Sequence, residues 1–304
     1  MKVIRDYKNL SLSRPVSAAA GFFDGFHLGH RKVTEIAVDA ARSRGEGQVC
    51  AVTFEQPERG LITTTGEKLS LMSRAGVDLA VVFPPDGEWM EWTPEEFING
   101  FLRSRVRAYS ISVGPDFRFG KDRRGDLGTL RKSGGSLEVR VAEMAEIDGR
   151  KISSSLIKDL IKKGELKEAE KMLGRKFYFT GSRVRGRGLG GRIGYPTLNF
   201  DVEEGKLLPR GVFSCEMVTD LSGAPAGVYG ACFIGEVSVG ERPRRKVSVE
   251  VHLLDCDKNS EERFCGAVLL GKVRDPERFS SVGSLRARIS SDIEKIRFDI
   301  QNSE

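Results

Sequence analysis

The chain has 304 residues, 39% of them hydrophobic and 30% charged, with a formal net charge of +6. That length suits two domains, and the balance of apolar and charged residues describes a soluble globular protein rather than a disordered one. No apolar run is long enough for a bilayer, the opening MKVIRDYKNL lacks the apolar core of a signal peptide, and the five cysteines, Cys50, Cys215, Cys232, Cys256 and Cys265, form no CxxC pair, an odd, scattered set that reads as reduced thiols in a cytoplasmic protein.

The first half alternates. VCAVTF (49–54), DLAVVFP (78–84) and YSISVG (109–114) are short β-branched or apolar runs, the signature of strands. Helical patterns lie between them. After His30, apolar residues recur at spacings of three and four (Val33, Ile36, Ala37, Ala40, Ala41), and TPEEFINGFLRSRV opens with a Thr cap, a Pro in the first turn and a Glu. Strands alternating with helices predict an α/β domain with a parallel sheet, whose ligands bind outside the carboxyl ends of the strands.

Near residue 150 the pattern changes. SSSLIKDLIKKGELKEAEKMLGR predicts two short helices broken at Gly164. Beyond Gly174, KFYFTGSRV, GVFSCEMVT, GVYGACFIG, KVSVEVHLLD and GAVLLGKV are strand-like runs separated by Gly, Pro and charged turns, the pattern of a β-barrel. A last helix is predicted from Phe279 to Gln301, with Val282, Leu285, Ile289, Ile293, Ile296 and Ile300 along one stripe. The expected domains are residues 1–176 and 177–304.

Two segments carry candidate chemistry. GFFDGFHLGH places His27 and His30 among Gly21, Gly25 and Gly29, just before a helix. Glycines let backbone approach a phosphate closely, and the helix N-terminus adds N–H donors and partial positive charge. The two imidazoles could then stabilise phosphate oxygens that gain charge in a transition state. A bare HxxH is also compatible with one packed and one solvated histidine, and it lacks the spacing and neighbours of a zinc site. Later, KISSSLIK puts Ser153, Ser154, Ser155 and Lys158 at a helix start, which is either an anion site or a capping run.

The second segment is VRGRGLGGRIGYPTLNF (184–200). Its glycines, interleaved with Arg185, Arg187 and Arg192, could fold over phosphates, form a plain flexible loop, or bind RNA. Thr197 and Asn199 share a face of a strand and offer hard oxygens suited to Mg²⁺. In VEVHLLD, period two puts Ser248, Glu250 and His252 on one face and Val247, Val249, Val251 and Leu253 on the other, leaving Glu250 free to face a site or water.

HxGH preceded by FDG, followed later by a serine-rich helix start, resembles the nucleotidyltransferase superfamily. With TFEQP (53–57), VGPDFRFGKDRRGD (113–126), ISSSLIKDLI, MLGR (172–175), PTLN (196–199) and LLPRGVF (207–213), the chain resembles nearly end to end the bacterial bifunctional riboflavin kinase/FAD synthetase (FMN adenylyltransferase) family. The resemblance implies a Rossmann-like α/β N-terminal domain that adenylylates FMN to FAD, and a riboflavin kinase-like C-terminal β-barrel with a terminal helix that phosphorylates riboflavin to FMN. It implies His27 and His30 on the ATP phosphates, with Gly21, Phe23, Asp24 and Gly25 near the nucleotide, Asp116 touching ATP or flavin, and Ser153, Ser154, Ser155 and Lys158 behind them. In the second domain it implies Gly188, Gly190, Arg192, Gly194 and Pro196 around a nucleotide, Thr197 and Asn199 on Mg²⁺, and Glu250 as the base for the riboflavin 5′-hydroxyl. ATP, riboflavin, FMN and FAD are then substrates or products, with neither membrane nor nucleic acid required as a partner.

This chain departs from that family in places. Lys158 stands where the family usually has Arg, which keeps the charge and loses the bidentate fork. The segments GACFIGEVSVGERPRRK (230–246) and RFCG (263–266) differ from the family's usual lining, and no His follows TFEQPE. Two other functions are therefore weighed: a monofunctional FMN adenylyltransferase whose barrel only binds flavin, and an RNA-binding regulator using the basic stretches 183–192 and 242–246.

Overall fold

Six parallel strands carry the N-terminal part of the chain: β1 (Lys2–Ile4), β2 (Val16–Ala20), β3 (Gln48–Phe54), β4 (Leu79–Phe83), β5 (Ala108–Val113) and β6 (Glu138–Val141), paired in the order β1-β4-β3-β2-β5-β6. The computed structural model describes residues 1–302 apart from 46, 56–59, 134, 187, 236–246 and 256–262. The central strands are buried along nearly their whole length because both faces of the sheet are covered. Alternate residues sort to the two faces. Ala18, Ala20, Val52, Val81 and Phe83 pack with Ile98, Phe101 and Leu102 of the helix Glu96–Arg105. Ala19, Ala51, Ala80 and Val82 pack with Val33, Ala37 and Ala41 of α1 (Leu28–Arg42), and with Leu69 and Met72 of α2 (Thr65–Arg74).

From β2 the chain moves one way to β3 and β4, then returns to place β5 on the other side of β2. The order reverses there, and in such sheets the ligand crevice opens at the carboxyl ends of the strands flanking the reversal. The Thr93 cap is present as expected: Thr93 N–H donates to Glu96 at 2.7 Å and Glu96 N–H to the Thr93 hydroxyl at 3.2 Å. The helix it opens is wound wider than an α-helix, closing with Val106 N–H on the Phe101 carbonyl. Helix α3 (Leu127–Ser133) and the small hairpin β7 (Glu146–Ile147) and β8 (Arg150–Lys151) complete this part.

Contacts divide the chain into two compact units that do not follow chain order: Met1–Glu58 with Lys68–Ser154, and Arg59–Glu67 with Ser155–Glu304. This contact division falls earlier than residue 176. Helices α4 (Ser154–Lys163) and α5 (Leu166–Leu173), separated at Gly164 as expected, count almost entirely with the second unit, where α5 packs on a barrel strand.

That unit is built on a closed antiparallel barrel of β9 (Tyr178–Val184), β10 (Leu198–Val202), β11 (Gly211–Val218), β12 (Pro225–Gly235), β13 (Ser248–Leu253) and β14 (Gly266–Arg274), in the order β10-β13-β12-β11-β14-β9. Closure leaves no edge strand. The short helix α6 (Leu189–Arg192) sits in the loop between β9 and β10. Helix α7 (Val282–Gln301) starts three residues later than predicted, because Ser281 and Ser284 form a reciprocal cap. Val282 is 51% exposed and leaves the predicted stripe, whereas Ile293 and Ile296 are buried, with Ile289 and Ile300 packed against them.

Within the second unit the segment Arg59–Glu67 is held by a fully buried ion pair. Glu67 bonds Lys206 and also accepts from Thr180, 2.8 Å from its backbone N–H and 2.9 Å from its hydroxyl. Removing one partner of a buried pair strands the other charge, so Glu67→Ala is expected to cost about 3–5 kcal/mol. Glu67→Gln, which keeps an acceptor for Thr180, should cost less. Chemical denaturation of the purified variants measures this, and a loss below about 1 kcal/mol in the Ala variant, the range of an exposed pair, would contradict it.

Candidate active sites

β2 ends at Ala20 and the chain turns through Gly21–Phe26 into α1. Phe23 (φ 55°), Gly25 (φ 79°) and Phe26 (φ 38°) all have left-handed backbone. For the two phenylalanines this costs roughly 1–2 kcal/mol each, and the burial of their rings helps hold the turn. The turn delivers His27 as the cap of α1, where its Nδ1 accepts from the His30 backbone N–H at 3.3 Å. A neutral imidazole that accepts at Nδ1 carries its proton on Nε2, so His27 keeps a donor. The His30 ring stacks on it at 3.6 Å, with Phe23 edge-on to His30 at 5.3 Å. Gly29 leaves room beside the His27 ring: a Cβ there would lie 3.2 Å from His27 Cε1 and 3.3 Å from Nδ1, a tight fit.

Both histidines line a cavity of about 740 Å³, together with Gly21, Phe23, Asp116, Ser153 and Ser154. Asp116 is ion-paired with Lys151. Asp24 and Gly25 shape the turn instead of lining the cavity, and the Asp24 carbonyl accepts from the Ser154 hydroxyl at 3.0 Å. Ser155 and Lys158, farther along α4, are not among the lining residues. The cavity also has an aromatic wall that sequence patterns did not single out. Phe54 ends β3, Phe83 ends β4 and Trp89 follows; their ring centroids lie 5.4 Å (Phe54–Phe83), 4.7 Å (Phe54–Trp89) and 5.2 Å (Phe83–Trp89) apart. Imidazole donors beside serines and a helix start suit phosphates, and an aromatic wall suits a flat ring. No thiol takes part: Cys50 lies in the sheet core, where burial pushes its pKa up to about 12.

The second constellation forms across β10 and β13, where Asn199 stands opposite Glu250. Asn199 Nδ2 donates to the Thr197 hydroxyl at 3.4 Å, and that hydroxyl donates to Glu250 Oε2 at 3.4 Å. The other carboxylate oxygen accepts from Ser248 at 2.9 Å. Ser248, Glu250 and His252 thus share the face expected of them, while Val249 and Val251 are buried. His252 Nδ1 donates to the Pro196 carbonyl at 2.8 Å and holds the residue before Thr197.

Thr197, Asn199 and Glu250 line a cavity of about 170 Å³, with Gly188 and Gly190 at one side and Leu285 and Ile289 of α7 at another. Arg192, Gly194 and Pro196 lie on the same loop outside the lining. The glycine-rich loop has a packing reason. A Cβ at Gly186 would sit 2.4 Å from Asn199 Nδ2, and one at Gly190 would sit 2.3 Å from the Tyr195 carbonyl oxygen. Gly186 thus packs on Asn199, although the resemblance implied only Gly188, Gly190 and Gly194 among these glycines. The bidentate pair Arg274–Asp292, at 2.9 and 3.0 Å through Nε, ties β14 to α7 at the cavity wall. Arg187, Cys256 and the basic stretch 242–246 lie outside the described residues. Among those described, no group of three or more His, Cys, Asp or Glu side chains could hold a metal, and no helix is long and apolar enough to cross a membrane.

Comparison with known proteins matches both parts of the chain. The FAD synthetase family model matches residues 10–156, and the riboflavin kinase family model matches residues 173–299. A bifunctional riboflavin kinase/FMN adenylyltransferase of Escherichia coli K12 is 30% identical, over 96% of this chain and 96% of that protein. One from Buchnera aphidicola subsp. Schizaphis graminum is 27% identical, over 98% of each chain. A solved structure described as a macrolide-efflux protein from Streptococcus pneumoniae superposes with a TM-score of 0.82 at 25% identity, covering 97% of this chain and 98% of that one.

Proposed function

Since the chain belongs to the bifunctional riboflavin kinase/FMN adenylyltransferase family, a transferase that phosphorylates riboflavin to FMN and adenylylates FMN to FAD, we propose how its residues divide that work. Adenylyl transfer is assigned to residues 1–176 and phosphorylation to residues 177–304. The carrying observation is that one cavity is lined by His27, His30, Ser153 and Ser154 and another by Gly188, Gly190, Thr197, Asn199 and Glu250.

In the first cavity the FMN phosphate attacks the α-phosphorus of ATP and pyrophosphate leaves. His27 and His30 donate to the phosphate oxygens as charge develops, with Ser153 and Ser154 beside them. Asp116 lines this cavity, and Ser155 and Lys158, on α4, are assigned to the ATP phosphates on the resemblance alone. The wall of Phe54, Phe83 and Trp89 stacks the flavin ring. Positioning and electrostatics carry the step, and no side-chain nucleophile is needed.

In the second cavity Glu250 accepts the proton of the riboflavin 5′-hydroxyl as that oxygen attacks the γ-phosphorus of ATP, and ADP leaves. Ser248 and Thr197 orient the carboxylate. The hydroxyl of Thr197 and the amide oxygen of Asn199 are hard donors at the edge of this cavity, and a half-turn of the Asn199 amide brings its oxygen toward Thr197; this set fits Mg²⁺. Bound there, Mg²⁺ would neutralise phosphate charge. Gly188, Gly190, Arg192, Gly194 and Pro196 shape the loop over the nucleotide.

The intact Thr197–Glu250–Ser248 arrangement favours a working kinase over a barrel that only binds flavin. The packing of Gly186 and Gly190 on Asn199 and Tyr195 favours a phosphate loop over an RNA-binding one. The described cysteines are free thiols, which supports a cytoplasmic setting. Incubating the protein with riboflavin, ATP and Mg²⁺ and resolving flavins by chromatography tests the assignment. FMN should rise first and then convert to FAD. FAD from supplied FMN, with no FMN from riboflavin, would leave an adenylyltransferase with a binding barrel.

A further inference from the structure

We propose that Lys68 is a positioning residue for adenylyl transfer, fastening the turn that delivers His27 and His30 to the carboxyl end of β3. The proposal rests on the assignment of that reaction to the larger cavity. Lys68 lies on α2 and is 5% exposed. Its ammonium donates to the Phe22 carbonyl at 3.2 Å, the Thr53 hydroxyl at 3.1 Å and the Phe54 carbonyl at 2.7 Å. Thr53 in turn donates to the Phe22 carbonyl at 3.2 Å. Three donors meet three acceptors, so the ammonium is saturated.

No carboxylate hydrogen-bonds to Lys68 among the described residues. The charged groups that face it are Asp24, from the turn after β2, and Glu55, from the end of β3, which is itself paired with Arg5. Burying an ammonium without a bonded counter-ion is costly, and what this one secures is two pieces of the cavity wall. Phe22 and Phe54 both line the cavity, with ring centroids 4.9 Å apart. Directly after Phe22 come the left-handed Phe23, Gly25 and Phe26, and then His27. A turn under that strain persists only when its surroundings over-determine it. Lys68 ties its start, as the Ser154 hydroxyl ties its middle.

The same ammonium supplies a signature. Burial lowers its pKa from 10.5 to about 8, against the opposing pull of Asp24 and Glu55. As pH rises through about 8 the folded protein loses this proton and one of the three donors. Between that pKa and 10.5 the unfolded chain still binds the proton, so this titration raises folding stability with pH. The titration of this lysine therefore cannot itself unfold the protein in that window.

The test is steady-state kinetics of Lys68→Met and Lys68→Arg across pH. Lys68→Met should lower kcat for FMN adenylylation on the order of 10- to 100-fold, the effect of a small misplacement of transition-state donors, with the KM for ATP nearly unchanged. Riboflavin phosphorylation by the same protein should hold, which verifies the fold. The wild type should show an alkaline limb centred near 8, and Lys68→Arg should recover most of the rate and lack that limb, because guanidinium keeps its charge. Wild-type kcat in Lys68→Met would overturn the proposal. If Lys68→Met loses both activities, the Arg variant decides: an alkaline limb identical to the wild type overturns it, and loss of the limb supports it. Persistence of FAD synthesis in His27→Ala would instead overturn the assignment of the cavity itself.

Discussion

Replacing His30 by alanine should lower FAD formation from FMN on the order of 10²- to 10³-fold, the range for removing one pre-positioned donor to a developing oxyanion. Riboflavin phosphorylation by the same protein should be unchanged. His30 contributes no cap to α1; its ring stacks on His27 at 3.6 Å and lines the cavity. His27 does two jobs, because its Nδ1 also caps α1. His27→Ala removes both, and the lost cap alone costs about 1 kcal/mol of helix stability. His27→Asn keeps a capping oxygen, so activity lost in that variant reports the imidazole. The measurement is the initial rate of FAD formation from FMN and ATP.

Replacing Glu250 by glutamine should stop riboflavin phosphorylation, with a loss of roughly 10²- to 10⁴-fold for a general base. Glutamine keeps the size of the side chain and an acceptor for Ser248, so the barrel should be undisturbed. Asn199→Ala should act in the same direction for a different reason. It removes the amide oxygen assigned to Mg²⁺ and empties the space that Gly186 leaves open. Neither substitution should change the rate at which supplied FMN becomes FAD. Initial rates of FMN formation from riboflavin, with ADP release followed in parallel, check both variants.

Local chemistry was the most legible part of the sequence. HLGH before an amphipathic run became a capped helix, and the alternation in SVEVHL placed Glu250 on the site face. Runs such as DLAVVFP and YSISVG became central strands because their apolar residues serve two covered faces. What stayed hidden was assembled by topology. Phe54, Phe83 and Trp89 share no spacing, and they meet because β3 and β4 end side by side. Lys68 reads as a solvated lysine on a helix until two carbonyls and a hydroxyl converge on it. Glu67 and Lys206 pair across 139 residues, and no local pattern marks either as buried. The late start of α7 was readable in principle: Ser281 and Ser284 form the cap, and the predicted stripe itself begins at Val282.

The central claim is that one chain holds two separable transfer sites. The most direct test gives the His30→Ala and Glu250→Gln proteins each half-reaction, riboflavin with ATP and FMN with ATP, and resolves the flavins by chromatography. The account predicts FMN but no FAD from the His30→Ala protein, and FAD from FMN but no FMN from riboflavin in the Glu250→Gln protein. Both half-reactions falling together in either folded variant would contradict it.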